Sequence, residues 1–266
     1  MKKYLSLVKY EFKTIVKDLM NLFILLYPVL MLFICGYLLP AIVKRAAGSD
    51  PNTSAITLLI GFVLLISIGG FMMGAMLGFS LLDNRDENTL LNIAASPVTV
   101  SGYATFKIIY TYVLAILGNI FMVGGLKLLA SESYVVVYGG VTIGLLDNIT
   151  YGHIIIFSIV SGLIVPFVAL VLGAIAKNKI EGFAMVKGGG LFVMIPMLVL
   201  LDSFQGAKQY IFGIFPNFWP IKAILNLSLG TQNAANLDFW LYMLIGAIYP
   251  IFLGVIALKM FVKKLT

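Results

Sequence analysis

The sequence predicts an all-α polytopic membrane protein: an N-terminal amphipathic helix, then six transmembrane helices, with both termini in the cytoplasm. Three observations carry that prediction. Of 266 residues, 61% are hydrophobic and 11% charged, whereas soluble domains carry about 25% charged residues. Six apolar runs of about twenty residues are each long enough to cross a hydrocarbon core of ~30 Å as a helix. The basic residues also sort by side. With the N-terminus inside, the inner segments hold 13 of the 18 Lys and Arg, and the outer segments hold Lys44, Arg45, Lys127, Lys208 and Lys222. Cytoplasmic loops show that bias. It accounts for the net charge of +7 without a nucleic-acid partner.

Residues 1–19 form the first element. Placed at 100° per residue, Tyr4, Leu5, Val8, Phe12, Ile15, Val16 and Leu19 fall within an arc of about 120°. Lys9, Lys13 and Lys17 gather on the opposing side, an arrangement suited to a helix lying in the membrane interface with its lysines toward anionic headgroups. The same charges interrupt what would be the apolar region of a signal peptide, so cleavage is not expected.

The spans are expected at about 20–43, 55–81, 103–130, 152–176, 187–203 and 237–260. Pro28 should kink the first, and Cys35 within it is a small packing residue. The second carries Gly70, Gly74 and Gly78 at every fourth position, a smooth face that lets another helix approach closely. Phe71, Met72, Met73 and Met76 lie among them. They are either packing residues or the flexible lining of a path for an apolar substrate. Residues 131–151 are too interrupted by Gly and Asp to span. Residues 204–235 are apolar but broken by Pro216 and Pro220. A re-entrant or interfacial hairpin fits them, with Phe215, Phe218 and Trp219 at headgroup depth.

Resident chemistry is hard to place on this chain. It has one histidine, His153, which cannot supply a clustered metal site or a Ser–His–Asp arrangement. No Gly-Lys pair exists to build a phosphate-cradling P-loop. Lys107, Lys127, Lys187 and Asp202 fall near span ends, where they can snorkel or meet water. Span interiors nearly free of ionisable groups argue against an ion-coupled carrier.

The tightest charge cluster, Asp83, Arg85, Asp86 and Glu87, opens the loop 82–102. Ordinary connections run two to eight residues, and this one is about twenty. Asp83 or Asn84 can cap a short helix continued by Thr89, Leu90, Leu91 and Ile93 and stopped at Ser96-Pro97. A helix that short is stable only when packed against something.

The stretch RDENTLLNIAASPVTVSGYATFK resembles the loop between spans two and three of ABC-2 type transporter permeases. Arg85, Asp86 and Glu87 match the charged part, Thr89-Leu90 a Thr-Leu step, and Ser96-Pro97-Val98 the end, while Asn88 replaces a common glycine. The amphipathic helix, the six spans, the short loop AKNKIEGFAMVKG and the Pro-aromatic FPNFWP extend the resemblance over the whole chain, 1–266, as one ABC-2 type transmembrane domain. The resemblance implies a permease subunit of an ATP-driven exporter in a bacterial cell membrane, not itself an enzyme. It implies a coupling helix at 82–102 docked on a separate ABC ATPase subunit, with ATP and Mg on that partner and no cofactor on this chain. Arg85, Asp86 and Glu87 would make polar contacts to the ATPase or to Lys9, Lys13 and Lys17, and Leu90 and Leu91 would anchor them, bounded by Thr89 and Pro97. A second permease chain, identical or not, would complete the transporter. The cargo would be hydrophobic or amphipathic: a drug, antimicrobial peptide, lipid or glycan. An ion-gradient-driven carrier and a non-transporting immunity or sensor protein are the rival readings.

Overall fold

The computed structural model describes residues 2–45, 51–86, 100–138, 140–204, 206–230 and 237–265. The N-terminal helix, Lys2–Lys17, is followed by six helices long and apolar enough to cross a membrane: Leu19–Arg45, Thr53–Asn84, Thr105–Ser133, Tyr151–Ile175, Lys179–Leu200 and Phe239–Phe261. These are spans 1 to 6. The end of the bundle that carries the N-terminal helix is called proximal below, and the other end distal.

Span 2 is the central post. Two thirds of its apolar stretch is buried (67%), against 18% for span 5. Its burial follows from Gly70, Gly74 and Gly78, which face span 4. A methyl group on Gly70 would lie 2.6 Å from the carbonyl oxygen of Ser161, and one on Gly74 would lie 2.7 Å from Cβ of Val168. On Gly78 it would meet Cβ of Leu172 at 2.9 Å. Only hydrogen in place of a side chain permits that approach.

Several elements differ from the expectation. Span 1 carries Pro28 inside the helix Leu19–Phe33 and then changes its regular hydrogen bonding at a π turn, Ile34–Leu38, which its hydropathy does not announce. Span 3 has a matching π turn at Ile120–Gly124. Asp83 and Asn84 cap nothing, because the helix Pro51–Asp86 runs through both. Leu82 explains the extension: it is fully buried, and Gly182 of span 5 lies close against it. Span 5 starts eight residues before position 187. Asn178 Oδ1 accepts from Glu181 N at 2.9 Å while Glu181 Oε2 accepts from Lys177 N at 2.9 Å, a capping arrangement that begins the helix at Lys179.

The distal segments are ordered by local chemistry. Val135–Tyr138 and Val141–Gly144 pair as an antiparallel hairpin, Val135 opposite Gly144, turning through Gly140 at φ 77. Gly140 takes that left-handed geometry without steric cost. Tyr134, fully buried beside the hairpin, donates its hydroxyl to Cys35 O at 2.7 Å and so satisfies a carbonyl of the first π turn. His153 completes a capping box with Thr150, its Nδ1 accepting from Thr150 N at 3.2 Å. Between spans 5 and 6, 3-10 turns lead to the helix Phe218–Leu229, which at 1.5 Å per residue is ~18 Å long and too short to cross. Phe218, expected at headgroup depth, is instead fully buried against the rings of Tyr210 and Trp219.

Candidate functional site

Two regions stand out for their geometry. The first is a polar cluster at the proximal end. The N-terminal helix has three sectors. Lys9, Lys13 and Lys17 are exposed on one, Val8, Phe12 and Val16 are exposed on the next, and Glu11 and Ile15 are buried on the third. Ile15, placed by periodicity in the apolar arc, thus faces protein, because it stands one turn from Glu11 at the edge of that arc.

Glu11 accepts a hydrogen bond from the Tyr103 hydroxyl at 2.6 Å and lies 3.5 Å from Lys107 Nζ. Lys107 also donates to Ser80 Oγ at 2.6 Å and sits 5.1 Å from the centroid of the Tyr103 ring. These contacts join the N-terminal helix to spans 2 and 3. Lys107 is therefore not snorkelling to water: it is 3% exposed and paired. A second contact set surrounds Asp18, the residue between the first two helices. Its Oδ1 caps span 1 by accepting from Met20 N at 2.9 Å and Asn21 N at 3.2 Å. Its Oδ2 accepts from Lys179 Nζ at 2.7 Å, and the same ammonium reaches Asp83 Oδ2 at 2.9 Å. One lysine of span 5 thus ties the helix junction to the proximal end of span 2. Partial burial raises the Asp18 pKa, but the Lys179 and backbone bonds overcome that and hold its carboxyl below the ordinary value. A cavity of about 500 Å³ opens between these residues, also lined by Asn21 and Asn84.

Two of the expected coupling residues follow Asp83 of this cluster in the chain. Arg85 and Asp86 occupy the last turn of the helix Pro51–Asp86. Glu87, Thr89, Leu90, Leu91 and Pro97 fall outside the described residues. Lys9, Lys13 and Lys17 point to the exposed side, and Asp83 is met by Lys179 instead.

The second region is an apolar groove of about 580 Å³ between spans 2, 4, 5 and 6 and the residues before the Phe218–Leu229 helix. Phe71 lines it, with Phe167, Met185, Gly189, Phe215 and Tyr249. Of the seven span 2 residues singled out in the sequence, Phe71 alone faces the groove. Gly70, Gly74 and Gly78 pack against span 4, Met73 and Met76 are buried at 3% and 2% exposure, and Met72 is half-buried against the core. Among the described residues, no charged side chain lines the groove.

The family described as "Fluoroquinolones export permease protein Rv2686c-like" matches residues 11–258. The chain belongs to that family. It is an ABC-2 type permease family, so the resemblance carried by the loop 82–102 holds at the level of the whole chain. Similar proteins are the Fluoroquinolones export permease proteins Rv2686c and MT2760 of two Mycobacterium tuberculosis strains, H37Rv and CDC 1551, each 28% identical over 194 residues. That match covers 72% of this chain and 66%, just under two thirds, of each relative's length. No solved structure matches the chain. In this export permease family the match runs from Glu11 into span 6, so it contains both the polar cluster and the groove. Six apolar helices and this membership make the chain a multi-pass membrane protein.

Sequence reasoning missed three features. The first is the Glu11–Lys107 pair, whose partners are far apart in the chain and share no local pattern. Another is the Asn178-x-x-Glu181 capping signal, which was legible. The last is Lys222, placed by its charge in an outer segment but in fact fully buried, with no hydrogen-bond partner for its ammonium.

Proposed function

We propose that the chain is the permease subunit of an ATP-driven exporter, one transmembrane domain over 1–266, with the polar cluster on the cytoplasmic side. The observation that carries the reading is membership, over residues 11–258, in a family of export permeases. The geometry adds a route for coupling. In the chain, Asp83 precedes the stretch 87–99 and Tyr103 and Lys107 follow it, and all three belong to the polar cluster. A push on this loop by an ATPase subunit would reach the N-terminal helix through Glu11 and Tyr103, and span 5 through Lys179. Two permease chains and two ATPase chains would form the working assembly.

The cargo is a hydrophobic or amphipathic molecule of drug size, and the names of the mycobacterial relatives make a fluoroquinolone the first to try. Co-expression with the ATPase encoded beside its gene, purification and reconstitution into vesicles test the reading. The expected result is a complex that accumulates a fluoroquinolone in an ATP-dependent manner. Transport driven by a proton or sodium gradient, with no ATPase co-purifying, would overturn it. Glu87→Ala should insert normally and lower transport-coupled ATP hydrolysis; unchanged transport would remove Glu87 from the mechanism.

A further inference from the structure

The apolar groove has a polar inner end. Ile164, Pro216 and Asn217 line both the groove and a second, small void of about 10 Å³. That is close to the space of a single water-sized group. Ser67 of span 2 and Ser161 of span 4 line this void. The two hydroxyls are not equivalent. Ser161 Oγ accepts from Asn119 Nδ2 at 2.9 Å and has Ser158 O at 3.5 Å. Ser67 is 5% exposed and its hydroxyl has no hydrogen-bond partner among the described residues. A buried hydroxyl without a partner is costly. A serine inside a helix can ordinarily bond the carbonyl one turn back, as Ser158 does to Ile154 O at 2.7 Å. Ser67 leaves that option unused and borders the void instead.

Two other polar side chains on the groove already have partners. Asn217 Nδ2 donates to Val193 O at 3.2 Å, and the Tyr249 hydroxyl donates to Ile214 O at 2.8 Å. None of the residues lining groove or void is charged. A volume of about 580 Å³ lies within the ~300–1,000 Å³ of small-molecule pockets, which share this design of apolar walls and few placed polar groups.

We propose that groove and void are one binding site for an uncharged amphipathic molecule, its apolar body in the groove and a hydrogen-bonding group on the Ser67 hydroxyl. An ion would enter without a counter-charge and is excluded by desolvation. A zwitterionic drug would occupy the site only in its neutral form. A plain hydrocarbon chain fills the groove but leaves Ser67 unsatisfied, so the site selects a molecule with a polar end. The site deepens the exporter reading by naming the class of cargo, and it rests on that reading only where the ligand is called cargo.

The test uses the full-length protein in nanodiscs and two fluorescent probes that share one skeleton. N-phenyl-1-naphthylamine is neutral; 8-anilinonaphthalene-1-sulfonate adds a fixed negative charge. The neutral probe should bind saturably, at least tenfold more tightly than the sulfonate. Gly188→Leu should weaken it tenfold or more, since Gly188 lines the groove and a Cβ there meets no atom within 4 Å, and an unchanged melting temperature of the variant checks that the fold is kept. Ser67→Ala removes no existing bond and should weaken the neutral probe about three- to tenfold. The same change should leave 1-benzylnaphthalene, which lacks the N–H, unaffected. Equal binding of the two probes, or no effect of Gly188→Leu, overturns the proposal. Displacement by methyl oleate together with an inert Ser67→Ala would show an acyl-chain slot and also overturn it. Export is scored separately. Loss of ATP-driven transport with these binding effects intact would sink the exporter reading and leave the site standing.

Discussion

Lys107 and Lys222 are both buried lysines, 3% and 0% exposed, at opposite ends of the bundle. Lys107 has Glu11, Ser80 and the Tyr103 ring around its ammonium. Lys222, in the helix between spans 5 and 6, has no hydrogen-bond partner among the described residues. Among the described residues only these two and Glu11 are charged and buried. The contrast separates two uses of a buried charge. At the proximal end it fixes which helices meet, because each member needs the other in place. At the distal end it stands as an uncompensated cost that an apolar side chain of similar length would not carry.

Breaking the paired lysine should have the largest effect. Lys107→Met strands Glu11 in a buried site and should destabilise by about 3–5 kcal/mol, the usual cost of removing one partner of a buried pair. Adding Glu11→Gln should return most of that loss. Unfolding of the four proteins of this double-mutant cycle in detergent measures it, and additive single effects would show that the pair is not a unit.

Overpacking the glycine face should come next. Gly70→Ala places a methyl against the Ser161 carbonyl, and backbone cannot yield as a side-chain tip does. A loss of about 1–3 kcal/mol is expected. Gly188→Ala, which meets nothing within 4 Å, should be neutral or slightly stabilising, as helix propensity alone dictates. Equal melting shifts for the two would deny that span 2 and span 4 are in the close contact described.

Lys222→Met reverses the sign. Removing an unpaired buried ammonium should stabilise by about 1–3 kcal/mol. Burial holds the Lys222 pKa down at about 7, against an ordinary 10.5. Between those values the unfolded chain binds the proton and the folded chain does not, so stability should rise with pH across that window. The variant should lose this rise. A flat profile in the parent protein would mean that the ammonium finds a partner at its site.

The same contrast marks what sequence pattern can carry. Spans and the glycine face were legible because length, hydropathy and a four-residue repeat are local properties that a membrane turns directly into structure. The hairpin at 135–144 was legible in part, through its β-branched run VVVY and the Gly139-Gly140 pair. The low polarity of the whole chain masks the strand signal, so the sequence excludes a span at 131–151 without showing the strands. Glu11 is a different case. Its helix periodicity places it between two sectors, and only the position of Lys107 and Tyr103 in space decides that it turns inward. Ser67 is likewise silent in sequence, since its distinction is a bond it does not make.

The smallest stability effect belongs to Lys179, and it sharpens the comparison most. Its partners are one third to one quarter exposed, with Asp18 at 27% and Asp83 at 30%. Water screens such pairs, so each is worth about 0–1 kcal/mol, and Lys179→Ala should cost only about 1 kcal/mol in all. The Asp18 share has a defined pH dependence. A carboxyl held below its ordinary 3.8 stabilises fully above that value and loses the contribution as pH falls through its folded pKa, so parent and variant should converge in acid. Yet Lys179 is the one described side chain that bonds both the helix junction at Asp18 and the end of span 2 at Asp83. If that tie transmits motion to span 5, Lys179→Ala should lower the transport obtained per ATP hydrolysed severalfold while melting within a few degrees of the parent. Asp18→Lys combined with Lys179→Asp restores only the ion pair at the helix junction, gives up the Asp18 cap of span 1, and sets a second carboxylate against Asp83. It should therefore stay uncoupled, and full recovery in that swap would assign coupling to the helix junction alone and release span 2 from it.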